Sequence, residues 1–273
     1  MNWNIEQAVR RRLFPKAGLH QQHLPDPGIQ ALLLDDKRYP GVEAALPDRW
    51  DEWPISRETA RFLARLVVEE GRSRVLEFGA GLSSLVLAQA LSHAGGGRLT
   101  SIEQYPDWCA EAWGKVEQTA SIEARLLTAE PELRITRQGF YYLYARAARE
   151  VAARAPYNLV LVDAPPFFYG RTGALPLILP HLSPGALIIL DDAGRLAEQW
   201  TLYTWLSTYP SLRLALYDPG FAKKGVAVLR YGGTPTIRFA MAGFASSSLH
   251  ILRTRRQRRR FSTTPQTPSL LSV

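Results

Sequence analysis

The sequence predicts a doubly wound α/β domain, with one seven-stranded sheet that is mostly parallel and ends in an antiparallel strand. Short apolar runs alternate with segments of helical periodicity, a pattern that places helices on both faces of the sheet. Residues 159–162 and 187–190 are continuously apolar, which is typical of central strands covered on both faces. Of the 273 residues, 46% are hydrophobic and 21% are charged, as in a globular chain long enough to bury a core.

The elements follow one another in regular order. Residues 1–54 are rich in proline and lack sustained periodicity, so we predict a loop-rich N-terminal cap. Ser56 then has the position of an N-cap for a helix ending near Glu70. Strands are predicted at residues 74–78, 99–102, 122–127, 158–162, 186–190, 212–217 and 226–229. Further helices are predicted at residues 83–92, 106–118, 141–153, 173–182 and 196–209.

The end of the sheet has a different connection. Residues 218–224 form a link too short for a crossover helix, so the last two strands should be antiparallel. The overall expectation is a Rossmann-like domain over residues 55–232, followed by a C-terminal extension over residues 233–273.

Charge and cysteine content limit the possible classes of protein. Cys109 is the only cysteine, which excludes an intramolecular disulfide and suits a reducing, cytoplasmic environment. No run approaches the ~20 apolar residues of a membrane span, and the N-terminus does not have the pattern of a secretory signal. The net charge of +8 is concentrated in six arginines between residues 253 and 260, for which we expect a solvated, disordered tail. Such a tail is also a possible nucleic-acid contact.

A glycine loop follows the first predicted strand. The segment VLEFGAGLSS at residues 75–84 places Gly79 and Gly81 where the chain turns sharply from strand to helix and can approach a ligand. A nicotinamide-dinucleotide fingerprint would have a third glycine at Ser84, so that pattern is incomplete. Glu103 ends the second strand, where a carboxylate can accept hydrogen bonds from both hydroxyls of a ribose.

These segments resemble a known superfamily. Residues 77–83 are similar to the first motif of class I S-adenosylmethionine-dependent methyltransferases, and residues 101–103 followed by Trp108 to their second. Residues 158–163 and 179–195 resemble the fourth and fifth strands of the bacterial O-methyltransferase-like branch. The resemblance covers about residues 56–231 and implies that the cofactor is S-adenosylmethionine.

The resemblance also implies where the cofactor binds. Gly79 and Gly81 would lie near its amino-acid moiety, Glu103 on the ribose hydroxyls, and residues around Ala129 and Glu130 near the adenine. The full set of expected cofactor-binding residues is Glu77, Gly79, Ala80, Gly81, Ser83, Glu103, Ala129, Glu130 and Asp163.

Three carboxylates are expected at the same edge of the sheet. Asp163 ends the fourth strand, while Asp191 and Asp192 end the fifth. Three oxygen ligands suit a hard cation such as Mg²⁺, which could orient an acceptor hydroxyl and lower its pKa. Catechol-type O-methyltransferases have a similar aspartate and an Asp–Asn pair, but this chain has Asp192 in place of the asparagine.

The carboxylates also allow two other interpretations. Asp163 or Asp191 could act without metal as the general base that removes the acceptor's proton. Alternatively, Asp191 and Asp192 could be structural, capping the following helix or pairing with Arg171 and Arg195.

The acceptor is less well defined by the sequence. We expect a small molecule with a hydroxyl group, framed by the N-terminal cap and the loop at residues 167–173. Tyr141, Tyr142 and Tyr144 could line its pocket, but an aromatic stripe on a predicted helix is more often core. The segment DAPPF at residues 163–167 also resembles, offset by one residue, the Asp-Pro-Pro-Tyr signature of amino-group methyltransferases.

The leading hypothesis is therefore methyl transfer from S-adenosylmethionine to an oxygen. The alternative is a nucleic-acid-associated methyltransferase or binding protein that uses the basic tail.

Overall fold

A computed structural model describes residues 24–48, 55–136, 138–166 and 169–239, together with 241, 244, 245, 247, 248 and 251. Its centre is a seven-stranded sheet in the order β3-β2-β1-β6-β7-β9-β8. The strands of this sheet are β1 (Arg74–Phe78), β2 (Gly97–Glu103), β3 (Ile122–Thr128), β6 (Tyr157–Val162), β7 (Leu182–Asp191), β8 (Leu212–Asp218) and β9 (Val226–Tyr231). Strands β4 (Glu132–Thr136) and β5 (Gly139–Leu143) form a separate hairpin.

The directions of the strands confirm the predicted fold class. Strands β3, β2, β1, β6 and β7 are parallel neighbours, whereas β9 runs antiparallel to both β7 and β8. The last strand is thus inserted between two strands that run in the common direction. The two continuously apolar runs lie in β6 and β7, at the centre of the sheet as predicted.

Helices cover both faces of the sheet. They are α1 (Pro27–Leu34), α2 (Pro40–Ala45), α3 (Arg57–Glu69), α4 (Leu82–His93), α5 (Pro106–Glu117), α6 (Ala148–Ala153), α7 (Ala174–Ile178) and α8 (Leu196–Thr208). Helix α3 begins at the predicted cap, where Ser56 Oγ accepts a hydrogen bond from the Thr59 amide at 2.9 Å. Alternate residues of each central strand belong to two separate buried clusters, one on each face.

The segment before α3 contains more helix than the sequence predicted. Helices α1 and α2 both begin at a proline, which is favourable at the first helical position, and their short length hides their periodicity. Asp26 caps α1 by accepting hydrogen bonds from the Gly28 and Ile29 amides. Just before it, the amides of Leu24 and Asp26 donate to the carbonyls of Leu214 and Ala215 on the outer edge of β8.

The helix predicted over residues 141–153 is wrong in its first part. Gly139 has φ +143, which suits glycine, and begins a strand in which Phe140, Tyr141 and Tyr142 lie opposite β4. Aromatic residues favour strands. The partner strand β4 lies so near in sequence that the hydrophobic pattern shows no change from helical to strand periodicity. The helix starts only at Ala148, after a turn of 3₁₀-helix at Ala145–Ala147.

Other predicted features lie outside the described residues. These are residues 1–23 and 49–54 of the N-terminal cap, residues 167 and 168 of the predicted acceptor loop (residues 167–173), and the arginine-rich tail. Within the described ranges, no helix has the length and apolar character needed to cross a membrane.

Candidate functional site

The glycine loop joins β1 to α4 at the carboxyl edge of the sheet. Gly79 has φ +96, and its amide donates to the Ile102 carbonyl on β2 at 2.9 Å. A Cβ atom at Gly79 would lie 3.0 Å from the Cβ atom of Ala164, so both backbone conformation and space require glycine there. A Cβ atom at Gly81 would meet nothing within 4 Å. The loop is therefore closed on the side of β6 and open at Gly81, where a ligand can approach the backbone.

The Glu77 side chain supports this loop from the interior of the domain. Its side chain is fully buried, and its Oε2 atom accepts hydrogen bonds from Ser84 Oγ at 2.5 Å and Ser101 Oγ at 2.6 Å. Burial raises the pKa of the carboxyl to about 7, although the hydroxyls of Ser101, Ser83 and Ser84 act in the opposite direction. Glu77, which was expected to bind the cofactor, thus lies inside the protein and ties β1 to α4 and β2.

Glu103 connects the loop to the end of β2. Its Oε2 atom accepts from the Ala80 amide at 3.0 Å, and its Oε1 atom accepts from the Gln104 and Tyr105 amides at 2.7 and 2.8 Å. Burial raises the pKa of this carboxyl, against the lowering effect of these backbone donors. A carboxylate has about four acceptor positions, so three amides leave some capacity for a hydroxyl donor.

The expected adenine side lies at the end of β3. The Ala129 amide donates to the Glu103 carbonyl at 3.0 Å, and Ala129 is buried, whereas Glu130 is exposed. Ser83 is buried in the first turn of α4. Backbone groups at Gly79, Ala80 and Gly81, the Glu103 carboxylate and Ala129 therefore lie close together at this edge, where they could hold a cofactor.

The acidic cluster lies next to this edge. It comprises Asp163 after β6 and Asp191 and Asp192 at the end of β7, and each offers a carboxylate oxygen within 4.8 Å of the other two. The Asp163 amide donates to the Phe78 carbonyl at 3.0 Å, so the cluster starts directly beside the glycine loop. The structure thus brings together the three aspartates that the sequence placed at the ends of two strands.

Arg171 is at the centre of the acidic cluster. Its Nη2 atom lies 2.9 Å from Asp163 Oδ1 and 3.2 Å from Asp192 Oδ2, and its Nη1 atom donates to the Asp191 carbonyl at 2.9 Å. Arg195 adds a second pair, with Nη1 2.7 Å from Asp192 Oδ2. The structural interpretation, in which aspartates pair with these two arginines, is therefore present in the molecule.

Glu198 is a member of the cluster that sequence reasoning missed. It lies in the first turn of α8, only 1% exposed, and its Oε1 atom is 3.5 Å from Arg171 Nε. The sequence did contain a signal for Glu198, because Glu198, Leu202 and Trp205 have the spacing of a single helix face. In the structure the two apolar residues of this face are buried.

The surroundings change the protonation of the aspartates. Burial raises the pKa of Asp163 and of Asp191, and the neighbouring carboxylates add to this, while the Arg171 guanidinium acts in the opposite direction. Asp191 and Asp192 are almost fully buried, whereas the Asp163 side chain is 23% exposed. Asp163 is thus the member of the trio that can be reached from outside.

A divalent cation does not fit among these aspartates while Arg171 is in place. The oxygen donors are of the right kind, but a Mg²⁺ ion would bind at about 2.1 Å from them. Arg171 Nη2 bridges Asp163 and Asp192 at hydrogen-bond distance, so the ion and the guanidinium would compete for the same oxygens and repel each other.

Tyr141, Tyr142 and Tyr144 do not form an aromatic stripe on a helix. Tyr144 follows β5 and is 1% exposed, with its ring centroid 5.9 Å from that of Phe78. No partner for its hydroxyl is present in the described part of the chain. Tyr142 packs edge-on against Tyr169 of the acceptor loop, with ring centroids 5.0 Å apart. Tyr141 is a core residue, whose hydroxyl donates to the Gln138 carbonyl.

Comparisons with known proteins bear on the fold and on the domain. Residues 76–193 match the family model described as a methyltransferase domain. No curated protein matches the chain. Two similar solved structures are the O-methyltransferase TomG from Streptomyces achromogenes in complex with SAM and cofactor-bound Rv0187 from MTB.

The two likenesses extend over most of each chain. TomG is 18% identical, with a TM-score of 0.50 over 79% of this chain and 99% of its own. Rv0187 is also 18% identical, with a TM-score of 0.51 over 85% of this chain and 97% of its own. At this identity the likeness establishes the fold, and the family model adds the domain. The chain therefore has the fold of these two structures, and its residues 76–193 match a methyltransferase-domain model.

Proposed function

We propose that this protein transfers the methyl group of S-adenosylmethionine to a hydroxyl oxygen of a small acceptor, with Asp163 as the general base. One observation carries the proposal: the Asp163 amide is bonded to the Phe78 carbonyl at 3.0 Å, so the partly exposed carboxylate directly adjoins the glycine loop. The cofactor, when bound, would supply a methyl group on a sulfonium, which an oxygen nucleophile that loses its proton to a base can attack.

The cofactor half of the site has a defined set of residues. We assign the ribose hydroxyls to Glu103, the amino-acid moiety to the backbone at Gly79 and Gly81, and the adenine to the wall at Ala129 and Glu130. Three backbone amides already fix the Glu103 carboxylate, so it needs no reorientation to receive a ligand. Ala80 contributes its backbone, while Glu77 and Ser83 support the loop from the interior.

The base must accept one proton as the new bond forms. The acceptor's O–H proton passes to the Asp163 carboxylate, the oxygen–methyl bond forms, the sulfur–methyl bond breaks, and S-adenosylhomocysteine leaves. A raised pKa makes Asp163 a better proton acceptor than an ordinary aspartate. Asp191, only 1% exposed, lies behind it and is the less accessible of the two candidate bases.

The acceptor side is framed by the segment after β6. Tyr169 and Tyr142 form an aromatic wall at this segment, and Arg171 connects it to the acidic cluster. We expect a small molecule there, delimited further by the N-terminal cap. The domain would thus extend over residues 55–232, with the cap and the C-terminal extension as appendages.

Two measurements on the full chain test the proposal. Calorimetric titration should show saturable binding of S-adenosylmethionine and S-adenosylhomocysteine but not of NAD. Transfer from methyl-labelled S-adenosylmethionine should then be measured on a panel of small hydroxyl compounds, with amines, RNA and DNA in parallel. Labelling of a hydroxyl compound, retained when the residues from Arg253 onward are deleted, is the expected result.

Two outcomes would contradict the proposal. Preference for NAD would reject the cofactor assignment. Labelling confined to RNA or DNA, and lost with the basic tail, would instead support a nucleic-acid methyltransferase.

A further inference from the structure

We propose that the guanidinium of Arg171 takes the place of a divalent cation among Asp163, Asp191 and Asp192, so that this site does not bind a metal ion. The inference deepens the proposed function. It rests on that function only for the role of the site in catalysis, because all the contacts that support it lie within the chain.

The contacts of the guanidinium are those of a bridging cation. Arg171 Nη2 lies between two carboxylates, 2.9 Å from Asp163 Oδ1 and 3.2 Å from Asp192 Oδ2. Nη1 donates to the Asp191 carbonyl at 2.9 Å, and Nε faces Glu198 Oε1 at 3.5 Å. One side chain thus contacts the carboxylates of Asp163 and Asp192, the backbone of Asp191 and, at ion-pair distance, Glu198. The planar guanidinium suits this task because its donors point in several fixed directions.

Burial makes a positive charge at this position stabilising for each of the surrounding carboxylates that is ionised. Asp191, Asp192 and Glu198 are 1%, 4% and 1% exposed, and Arg171 is 3% exposed. Ionised carboxylates so far from water require a compensating cation. An arginine provides one permanently, since it does not lose its proton in proteins. A metal is therefore not needed to hold the cluster together.

The backbone that carries Arg171 is held in place by its neighbours. The carbonyl of the next residue, Thr172, accepts a hydrogen bond from Trp205 Nε1 at 2.9 Å. Gly173 is packed so tightly on the hairpin that a Cβ atom would lie 1.9 Å from the Tyr142 carbonyl oxygen. The Ala174 amide closes the segment by donating to the Arg171 carbonyl at 3.1 Å. A metal would have to displace a side chain whose backbone is fixed at both the core and the hairpin.

Manganese titration of the full chain tests the inference without any acceptor. Binding of Mn²⁺ is followed by electron paramagnetic resonance for the wild type, Arg171→Met and Arg195→Met. Arg195 is the matched control, because it also pairs with Asp192 but its side chain is 48% exposed. We expect no stoichiometric site in the wild type or in Arg195→Met. Arg171→Met should gain one site that Mg²⁺ displaces, whereas Arg171→Lys, which keeps the charge, should gain none.

Two results would overturn the inference. One is a stoichiometric Mn²⁺ site in the wild type that disappears in Asp192→Asn. The other is a folded Arg171→Met, verified by near-ultraviolet circular dichroism, that gains no site. If Arg171→Met does not fold, the wild type and Asp192→Asn decide the question by themselves. Titration with S-adenosylmethionine is run separately, so a failure to bind the cofactor would contradict the proposed function and leave the manganese result intact.

Discussion

The two halves of the site stabilise their carboxylates in different ways. At the cofactor edge, Glu77 accepts from serine hydroxyls and Glu103 from three backbone amides, all within residues 77–105. At the acidic edge, the aspartates rely on a guanidinium that arrives from a separate loop. The first half uses neutral dipoles that are local in sequence, and the second uses a charge brought in by the tertiary fold.

This difference has a physical consequence. Fixed amides and hydroxyls cannot move far, so a substitution at the cofactor edge should have a local effect on binding or on the loop. A buried charge is shared by every carboxylate around it, so a change at the acidic edge alters the whole cluster. The following substitutions separate these two kinds of behaviour.

The largest effect is expected from Asp163→Asn. Removal of the proton acceptor should lower the methyl-transfer rate by about 10²- to 10⁴-fold while leaving S-adenosylmethionine binding nearly unchanged. Single-turnover transfer from the labelled cofactor measures the rate, and calorimetry measures the binding. The control is Glu111→Gln, a neutral substitution at a carboxylate of α5 whose side chain is 86% exposed and lies outside the proposed site. An unchanged rate in Asp163→Asn would assign the base elsewhere.

A smaller effect is expected from Glu103→Ala. Loss of charge-assisted hydrogen bonds to the ribose should cost about 2–3 kcal/mol, equivalent to about a 10²-fold weaker Kd for S-adenosylmethionine. Calorimetry gives the Kd directly. Glu117→Ala, at the end of α5, serves as a carboxylate removal outside the site. Equal affinity of Glu103→Ala and wild type would contradict the assignment of the ribose to this residue.

The two loop glycines provide a matched pair. Gly79→Ala should lower the free energy of unfolding by about 1–3 kcal/mol, because alanine is strained at φ +96 and its Cβ would press on Ala164. Gly81→Ala has space for its Cβ and should keep its stability while losing cofactor affinity. Urea unfolding and calorimetry measure the two quantities. A larger stability loss in Gly81→Ala than in Gly79→Ala would reverse the proposed division of roles.

The most gradual effect, spread over several pH units, concerns the pH dependence of stability. Burial raises the pKa of Glu77 from 4.5 to about 7, so between these values the folded protein keeps a proton that the unfolded chain releases. Stability should therefore fall as the pH rises through this window, by at most about 1.4 kcal/mol per pH unit for this group. Glu77→Gln should have a flatter profile of unfolding free energy between pH 4.5 and pH 7. A steeper profile would contradict the raised pKa.

The sequence was sufficient for the parts of the molecule with local patterns. The seven strands of the large sheet and the glycine loop at Gly79 and Gly81 were predictable because hydrophobic period and glycine position act over a few residues. The hairpin at residues 132–143 was not, because its aromatic residues fit a helix as well as a strand until their partner strand is known. Tertiary pairing decided between the two.

The site shows the same division. The three aspartates could be placed at one edge because parallel strands end together. That Arg171 lies at their centre, with Glu198 behind it, depends on how a loop and a helix pack over that edge. The sequence suggested Arg171 as one possible partner, and only the packing distinguishes an incidental ion pair from the central charge of the cluster.

The two edge strands of the sheet also explain how the chain avoids aggregation. Unpaired strand edges can recruit a second chain and start aggregation. On β8, amides of Leu24 and Asp26 engage carbonyls of that edge. On β3, Glu123 and Arg125 are exposed and charged, which discourages another strand from adding there. Residues 24–26 thus cover part of the β8 edge, and a chain shortened past Asp26 should be the form that aggregates first on heating.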